Sequence, residues 1–568
     1  MRTRLLPLLA LIAVSPLFAQ EKPAANSVES RLAAQNALFE ESWQTNLKLS
    51  PTQATAVGDY RYNDKLGDAS LAGVMQRHEI NAKFLARIKA ISTDGFSEED
   101  RTSHDLFLRN LQENADDFNL KGYEMPLTAQ GGIHTGLADL PNAAPFETVK
   151  QYDDYIARLH QIPKVLRDTE DVLSAGVKDH LVLVKFLAEK IPASFSDDDK
   201  KRITDSITKT VADEVLPAYK QFGEWVTTEY APHCRTTLSI ESLPGGKRRY
   251  QAALRRLTTT NLTPEEIHKI GLSEYDRIVG EMTALAKANG YADLAAFREH
   301  LEADPKYKPS SAQSIVDDFD RYVRQMKPKL PQLFTLIPSA PVTVEAIPDY
   351  QKAAATHYQT GTPDGKRPGR VSVAVFDFAS RTFINDEAVA YHEGIPGHHM
   401  QLSVQQTLQG LPEFRKHGGN SAYTEGWALY AEELGKEVGF YQDPGSDYGR
   451  LRSELFRAVR LVVDTGIHDL GWSRDQVVEF MRKSHAVDEP TIQSETDRYI
   501  SWPGQACSYK IGQLKIRELR ARASKQLGAK FDVRTFNDQI LAGGSLPLDL
   551  LDARIERWIK AQTAIAAN

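Results

Sequence analysis

Apolar residues recur at three- and four-residue spacing along most of the chain, and that period predicts helices. After Ser310 and Gln313, which read as a capping box, Ile315, Phe319, Tyr322, Val323 and Met326 fall on one helical face. Thr263-Pro264-Glu265-Glu266 reads as a helix start with proline in the first turn, and Ser473-Arg474-Asp475-Gln476 as another. Tyr423, Trp427, Tyr430 and Leu434 form an aromatic-rich stripe of the same period. The pattern switches to a strand most clearly at 371–378, VSVAVFDF, which follows the turn-rich GTPDGKRPGR. SLPGG at 242–246 and KIPASFSDDDK at 190–200 predict loops, and no repeat of fixed period is present. The expected fold is therefore mainly α. It divides into a helical N-terminal region at 31–350 and a region at 351–568 that carries the chemistry, the two forming one continuous globular unit.

Composition narrows the function classes. With 568 residues, 41% of them hydrophobic, the chain can bury a large core. Its 69 basic and 76 acidic residues leave a formal charge of −7 with no long basic run, which sets nucleic-acid binding aside. The first residues, MRTRLLPLLALIAVSPLFAQ, place Arg2 and Arg4 before an apolar run and end on small Ala19, the pattern of a secretory signal peptide at 1–19. That run is shorter than the roughly 20 residues of a membrane span. Polar QEKPAANSVES at 20–30 reads as a flexible lead-in, and no cysteine follows the signal to carry a lipid. The expectation is a soluble periplasmic protein without stable membrane insertion. Cys234 and Cys507 permit a disulfide in such a compartment, although two thiols in so long a chain are more often separate core residues.

The chemistry concentrates at AYHEGIPGHHMQ, residues 390–401. In the zinc-peptidase signature H-E-x-x-H, two histidines four residues apart share one face of a helix and can share one metal ion. Here Pro396 occupies the fourth position after His392, and the next histidines are His398 and His399. On a regular helix these would stand roughly 9 and 10.5 Å further along the axis. Pro396 has no N–H for the His392 carbonyl, however, and Gly397 permits backbone angles that other residues resist. A looped turn can therefore bring a second imidazole back beside His392. Glu393 would then be the general base, accepting a proton from water that zinc has made more acidic. A zinc site needs a third protein ligand, and Glu425 in NSAYTEGWALYAEEL is the candidate, off the aromatic stripe of its helix.

The segment T-E-G-W-A-L-Y-A-E at 424–432 resembles the Asn-Glu-Gly-Phe-Ala pattern of gluzincin aminopeptidases, in which the glutamate is the third zinc ligand. Gly397-His398 resembles the H-E-x-G-H of thimet-oligopeptidase and angiotensin-converting-enzyme types with residues inserted. With RLVVDTGIH at 460–468 and ETDRYISWPGQACSYKIG at 495–512, the chain is similar to a bacterial family known as domain of unknown function eight-eight-five. The resemblance implies a large helical, zincin-like metallopeptidase with a small sheet beside the active-site helix. The strand at 371–378 would form the edge along which a peptide lies. It also implies zinc held by His392, His398 and Glu425, with His398 favoured over His399.

Amide scission develops negative charge on the carbonyl oxygen, and Tyr509 or His468 would serve as the neutral donor. Arg498, and with it Arg457 and Arg460, would bind a substrate carboxylate. The expected activity is zinc-dependent hydrolysis of short peptides. A non-peptide amide or ester would use the same chemistry. A non-catalytic periplasmic zinc- or peptide-binding protein with a relict site is the rival, and a structural role for the histidines is a third reading. Oligomeric state and the end from which a peptide would be cut are not readable from these residues.

Overall fold

The computed structural model describes residues 26–128, 131–188, 209–348 and 354–564. The secretory segment at 1–19 and the loop expected at 190–200 lie outside the described residues. Within the lead-in, order begins earlier than polarity suggested: a helix starts at Val28, capped by the Ser27 side chain accepting from the Ser30 N–H. Helices dominate the rest, with one small sheet between them.

Thr263 and Glu266 close a capping box at the start of α1 (Pro264–Ala288), and Ser473 and Gln476 close another. The box that opens α2 (Ala312–Met326) lies one residue later than expected. Ser311 and Ser314 exchange bonds, because the Ser314 hydroxyl is the group within reach of the Ser311 N–H. The apolar face of α2 is buried as its period requires. SLPGG is less of a loop than its composition suggests, since Ile240–Ser242 forms a 3-10 turn and a helix begins at Gly246.

The sheet comprises β1 (Val342–Ala346), β2 (His357–Gln359) and β3 (Gly369–Val373) in the order β1-β3-β2. The strand read at 371–378 is thus shorter and central rather than an edge. It pairs in parallel with β1 and antiparallel with β2, which leaves it no free side. Val371 and Val373 on one face and Ser372 on the other are all buried, and Asp377 turns the chain away with a left-handed φ of 49°.

The largest core draws residues from both sides of position 350, among them Ile267, Phe319, Tyr391, Trp427 and Leu461. It encloses the approach of α3 (Asp386–Glu393), α4 (His398–Thr407) and α5 (Ser421–Glu437). The long α6 (Pro444–His468) runs through the interior with nearly every residue buried. Its polar members Asp447, Arg450, Glu454, Arg457, Arg460, Asp464 and His468 recur every three or four positions and form one stripe. Most pair internally: Asp447 with Arg450, Glu454 with Lys510, Arg460 with Glu495, and Asp464 with the Tyr250 hydroxyl.

After α7 (Glu489–Ser501), α8 (Ser508–Leu527) lies along α5 so closely that backbone meets backbone. A Cβ on Gly426 would stand 2.4 Å from the Gly512 carbonyl carbon, and one on Gly512 would stand 1.8 Å from the Ala422 oxygen. Cys234 and Cys507 are buried in separate clusters and are not joined by a disulfide. Among the described residues, no helix is long and apolar enough to cross a membrane.

Candidate metal centre

The histidine motif is split between two helices: α3 ends at Glu393 and α4 begins at His398. The regular ladder fails around Pro396, as its missing N–H demands. Gly397 N–H instead donates to the Tyr391 carbonyl six residues back (2.9 Å), and His399 N–H to the Gly394 carbonyl five residues back (3.2 Å). The turn closes only because Gly397 lacks a side chain, since a Cβ there would lie 1.9 Å from the His392 oxygen. Trp427 Nε1 donates to the Pro396 carbonyl at 3.0 Å and ties the turn to α5. The imidazoles of His392 and His398 end with ring centroids 4.8 Å apart and planes at 87°.

Helix α5 adds the third group. Glu425 Oε2 lies 3.7 Å from His392 Nε2 and 3.5 Å from His398 Nε2. Ligand atoms held at 2.0–2.2 Å around a tetrahedral zinc ion are spaced about 3.4 Å from one another, and the two Glu425–histidine distances are close to that spacing. Glu393 has a carboxylate oxygen within 4.8 Å of both histidines and is a second acidic group at the same point. Two carboxylates, Glu425 and Glu393, thus face the same pair of imidazoles.

Glu432, which sequence reasoning missed, accepts from His392 Nδ1 at 2.8 Å, and both side chains are 2% exposed. It lies seven residues after Glu425, two turns along the same face of α5, and that spacing was the available signal. The bond orients the ring so that Nε2 faces Glu425, the usual office of a carboxylate behind a metal-binding histidine. Burial alone would lower the His392 pKa, but the Glu425 and Glu432 carboxylates outweigh it and raise it to about 9. Glu425 shows the converse: burial raises its pKa, yet His392 and His398 bring it well below the usual carboxylate range. The cluster thus stabilises positive charge between its carboxylates.

His399 turns elsewhere. Its Nε2 donates to the Ala340 carbonyl (3.2 Å) and its Nδ1 accepts from the Tyr358 hydroxyl (3.0 Å), which ties α4 to β2. Burial lowers its pKa to about 4, consistent with a neutral latch. The structure therefore brings His398, not His399, to His392 and Glu425.

His392, Glu393, His398 and Glu425 line a cavity of about 1570 Å³, together with Tyr509, Arg457, Arg460 and Arg498. Arg498 Nη2 donates to the Tyr509 hydroxyl at 3.1 Å. The edge strand bordering this cavity is β2, through His357, Tyr358 and Gln359, rather than β3. His468 is not part of it, contrary to the expectation of a substrate-binding role. Fully buried at the end of α6, its Nδ1 accepts from the Ile240 N–H (3.1 Å) and its Nε2 donates to the Tyr499 carbonyl (2.9 Å). Both nitrogens are consumed by backbone groups, and burial lowers its pKa to about 3.

No curated protein matches the chain. Solved structures do, among them a candidate lipoprotein from Colwellia psychrerythraea at 27% identity, covering 94% of this chain and 100% of that one with a TM-score of 0.88. A candidate lipoprotein of unknown function from Shewanella oneidensis, at 19% identity, covers 93% and 99% with a TM-score of 0.68 and shares the fold. The family model DUF885, described as bacterial protein of unknown function, matches residues 51–555. That span takes in the histidine turn, Glu425, Glu432 and the Arg498–Tyr509 pair, and the chain belongs to the DUF885 family.

Proposed function

We propose that the chain is an exported zinc-dependent metallopeptidase acting on short peptides. The observation that carries this reading is the convergence of His392, His398 and Glu425 at zinc-ligand spacing, with Glu432 behind His392. When bound, zinc would polarise the scissile carbonyl and acidify a water molecule. Glu393, beside both histidines, accepts the proton of that water and passes it to the departing amine. Tyr509, on the same cavity wall, offers its hydroxyl to the carbonyl oxygen as negative charge develops there.

A peptide substrate is supported by two features. The cavity exceeds the roughly 300–1,000 Å³ usual for small-molecule pockets, and an edge strand, whose backbone can pair with an extended chain, runs along its wall. Export to the periplasm is supported by the basic-then-apolar pattern of residues 1–19 and by the description of the Colwellia relative as a candidate lipoprotein.

Elemental analysis of gently purified protein, followed by digestion of a peptide library read by mass spectrometry, tests the reading. Glu393→Gln should keep one zinc per chain and lose turnover. Wild-type protein that carries no metal, or carries zinc and cleaves no peptide, would sink it.

A further inference from the structure

The cavity wall beside the metal cluster holds more positive charge than the fold pairs. Three guanidinium groups surround the Tyr509 ring, with Cζ atoms at 4.4 Å for Arg460 and at 6.0 Å for both Arg457 and Arg498. Among the described residues one carboxylate pairs with them: Glu495 bonds Arg460 Nη2 at 2.9 Å and Arg498 Nη1 at 3.1 Å. Those two arginines hold its pKa at about 2 although burial pushes the other way. Arg457 has no ion pair among the described residues, and its Nη1 bonds only the oxygens of Ser453.

Two donors are left over. Arg457 Nε and Arg460 Nη1 are buried with no hydrogen-bond partner among the described residues, on side chains belonging to residues 9% and 4% exposed. A buried guanidinium without a counter-charge is costly. The metal cluster does not supply that counter-charge: a divalent ion would be balanced by Glu393 and Glu425, and the third carboxylate, Glu432, is spent on His392 Nδ1 and does not line the cavity. An anion entering the cavity would, and the planar guanidinium fork matches a carboxylate.

We propose that Arg457, Arg460 and Arg498, grouped around the Tyr509 ring, form a carboxylate subsite that takes the free C-terminal carboxylate of a short peptide, so that the chain trims peptides from that end. This rests on the metallopeptidase reading, since the anchored end must lie in the same cavity as the metal cluster.

The test uses zinc-loaded Glu393→Gln protein, which binds without turnover, and calorimetry with three N-acetylated peptides of uncharged sequence. One is a free acid, one its C-terminal amide, and one the amide with an internal glutamate. The acid should bind at least about 10-fold more tightly than either amide, the worth of one charge-assisted pair. Adding Arg498→Gln or Arg457→Gln should reduce that preference to about 3-fold or less. The acid–amide comparison stands without either variant if one fails to fold. Equal binding of acid and amide, binding of neither, or full recovery by the internal glutamate would each overturn the subsite.

Wild-type digestion separates the two readings. Cleavage of acid and amide alike keeps the peptidase and refutes the subsite, whereas C-terminal fragments of one length from the acid alone support both. Acid-selective binding with no cleavage of any peptide would remove the peptidase and the trimming together.

Discussion

Removing the carboxylate of Glu432 probes the proposed metal centre without touching any of the three proposed ligands. Its bond to His392 Nδ1 is 2.8 Å long between two side chains only 2% exposed, so water cannot replace it at little cost. A hydrogen bond from a buried N–H to a charged acceptor is worth about 1.5–3 kcal/mol. That corresponds to about 10- to 100-fold in an equilibrium constant and agrees with the usual effect of such outer carboxylates on metal affinity. Glu432→Gln keeps an acceptor and loses the charge, so zinc should bind about 10-fold more weakly. Glu432→Ala leaves the imidazole N–H buried and unpaired, and the loss should approach about 100-fold. Competition with a chromophoric chelator at neutral pH measures both, with Glu437→Gln, further along α5, as the control. Zinc affinity within twofold of wild type in both variants would refute the argument that Glu432 orients a metal-binding histidine.

Three further outcomes follow from the same geometry. His398→Ala should lose bound zinc on elemental analysis while His399→Ala keeps it and melts lower, because only the former ring faces Glu425; equal zinc retention would contradict that assignment. Gly397→Ala must push a methyl group against the backbone of His392, so thermal denaturation should show a loss of about 1–3 kcal/mol together with weaker zinc binding, and a neutral result would mean the turn can open. His468 stays neutral in the folded state down to about pH 3 but takes a proton near pH 6.5 once unfolded, so acid favours the unfolded chain and stability falls as pH drops below 6.5. By pH 5 this costs about 2 kcal/mol, and urea denaturation of His468→Gln at pH 7 and 5 should show a correspondingly smaller decline; an unchanged decline would place the acid sensitivity elsewhere.

The parts of the site that sequence made legible are those in which local backbone chemistry dictates the shape. Pro396 and Gly397 announce a broken helix wherever they occur between two histidines, and the turn they build is the one that joins His392 to His398. Glu432 escaped notice because a glutamate in a helix ordinarily faces water, and nothing local says that α5 is buried on that side. His468 was misplaced for a related reason. Its residue type suits a neutral donor to a developing oxyanion, but α6 runs through the interior and both nitrogens of His468 are spent on backbone partners. Strand order is equally non-local: VSVAVFDF announces extended chain, and only pairing with β1 and β2 makes it the centre of a sheet.

The crossing of α5 and α8 at Gly426 and Gly512 has a bearing on how this chain can vary over time. Where side chains separate two helices, each change of a methyl group shifts the axis a little, and a functional group riding on one of them drifts with it. Here peptide planes touch directly, so the seat of Glu425, the residue next to Gly426, is gauged by main-chain atoms that substitution does not resize. Side chains elsewhere in this chain can change without moving this carboxylate, while either glycine, once lost, has no equivalent replacement.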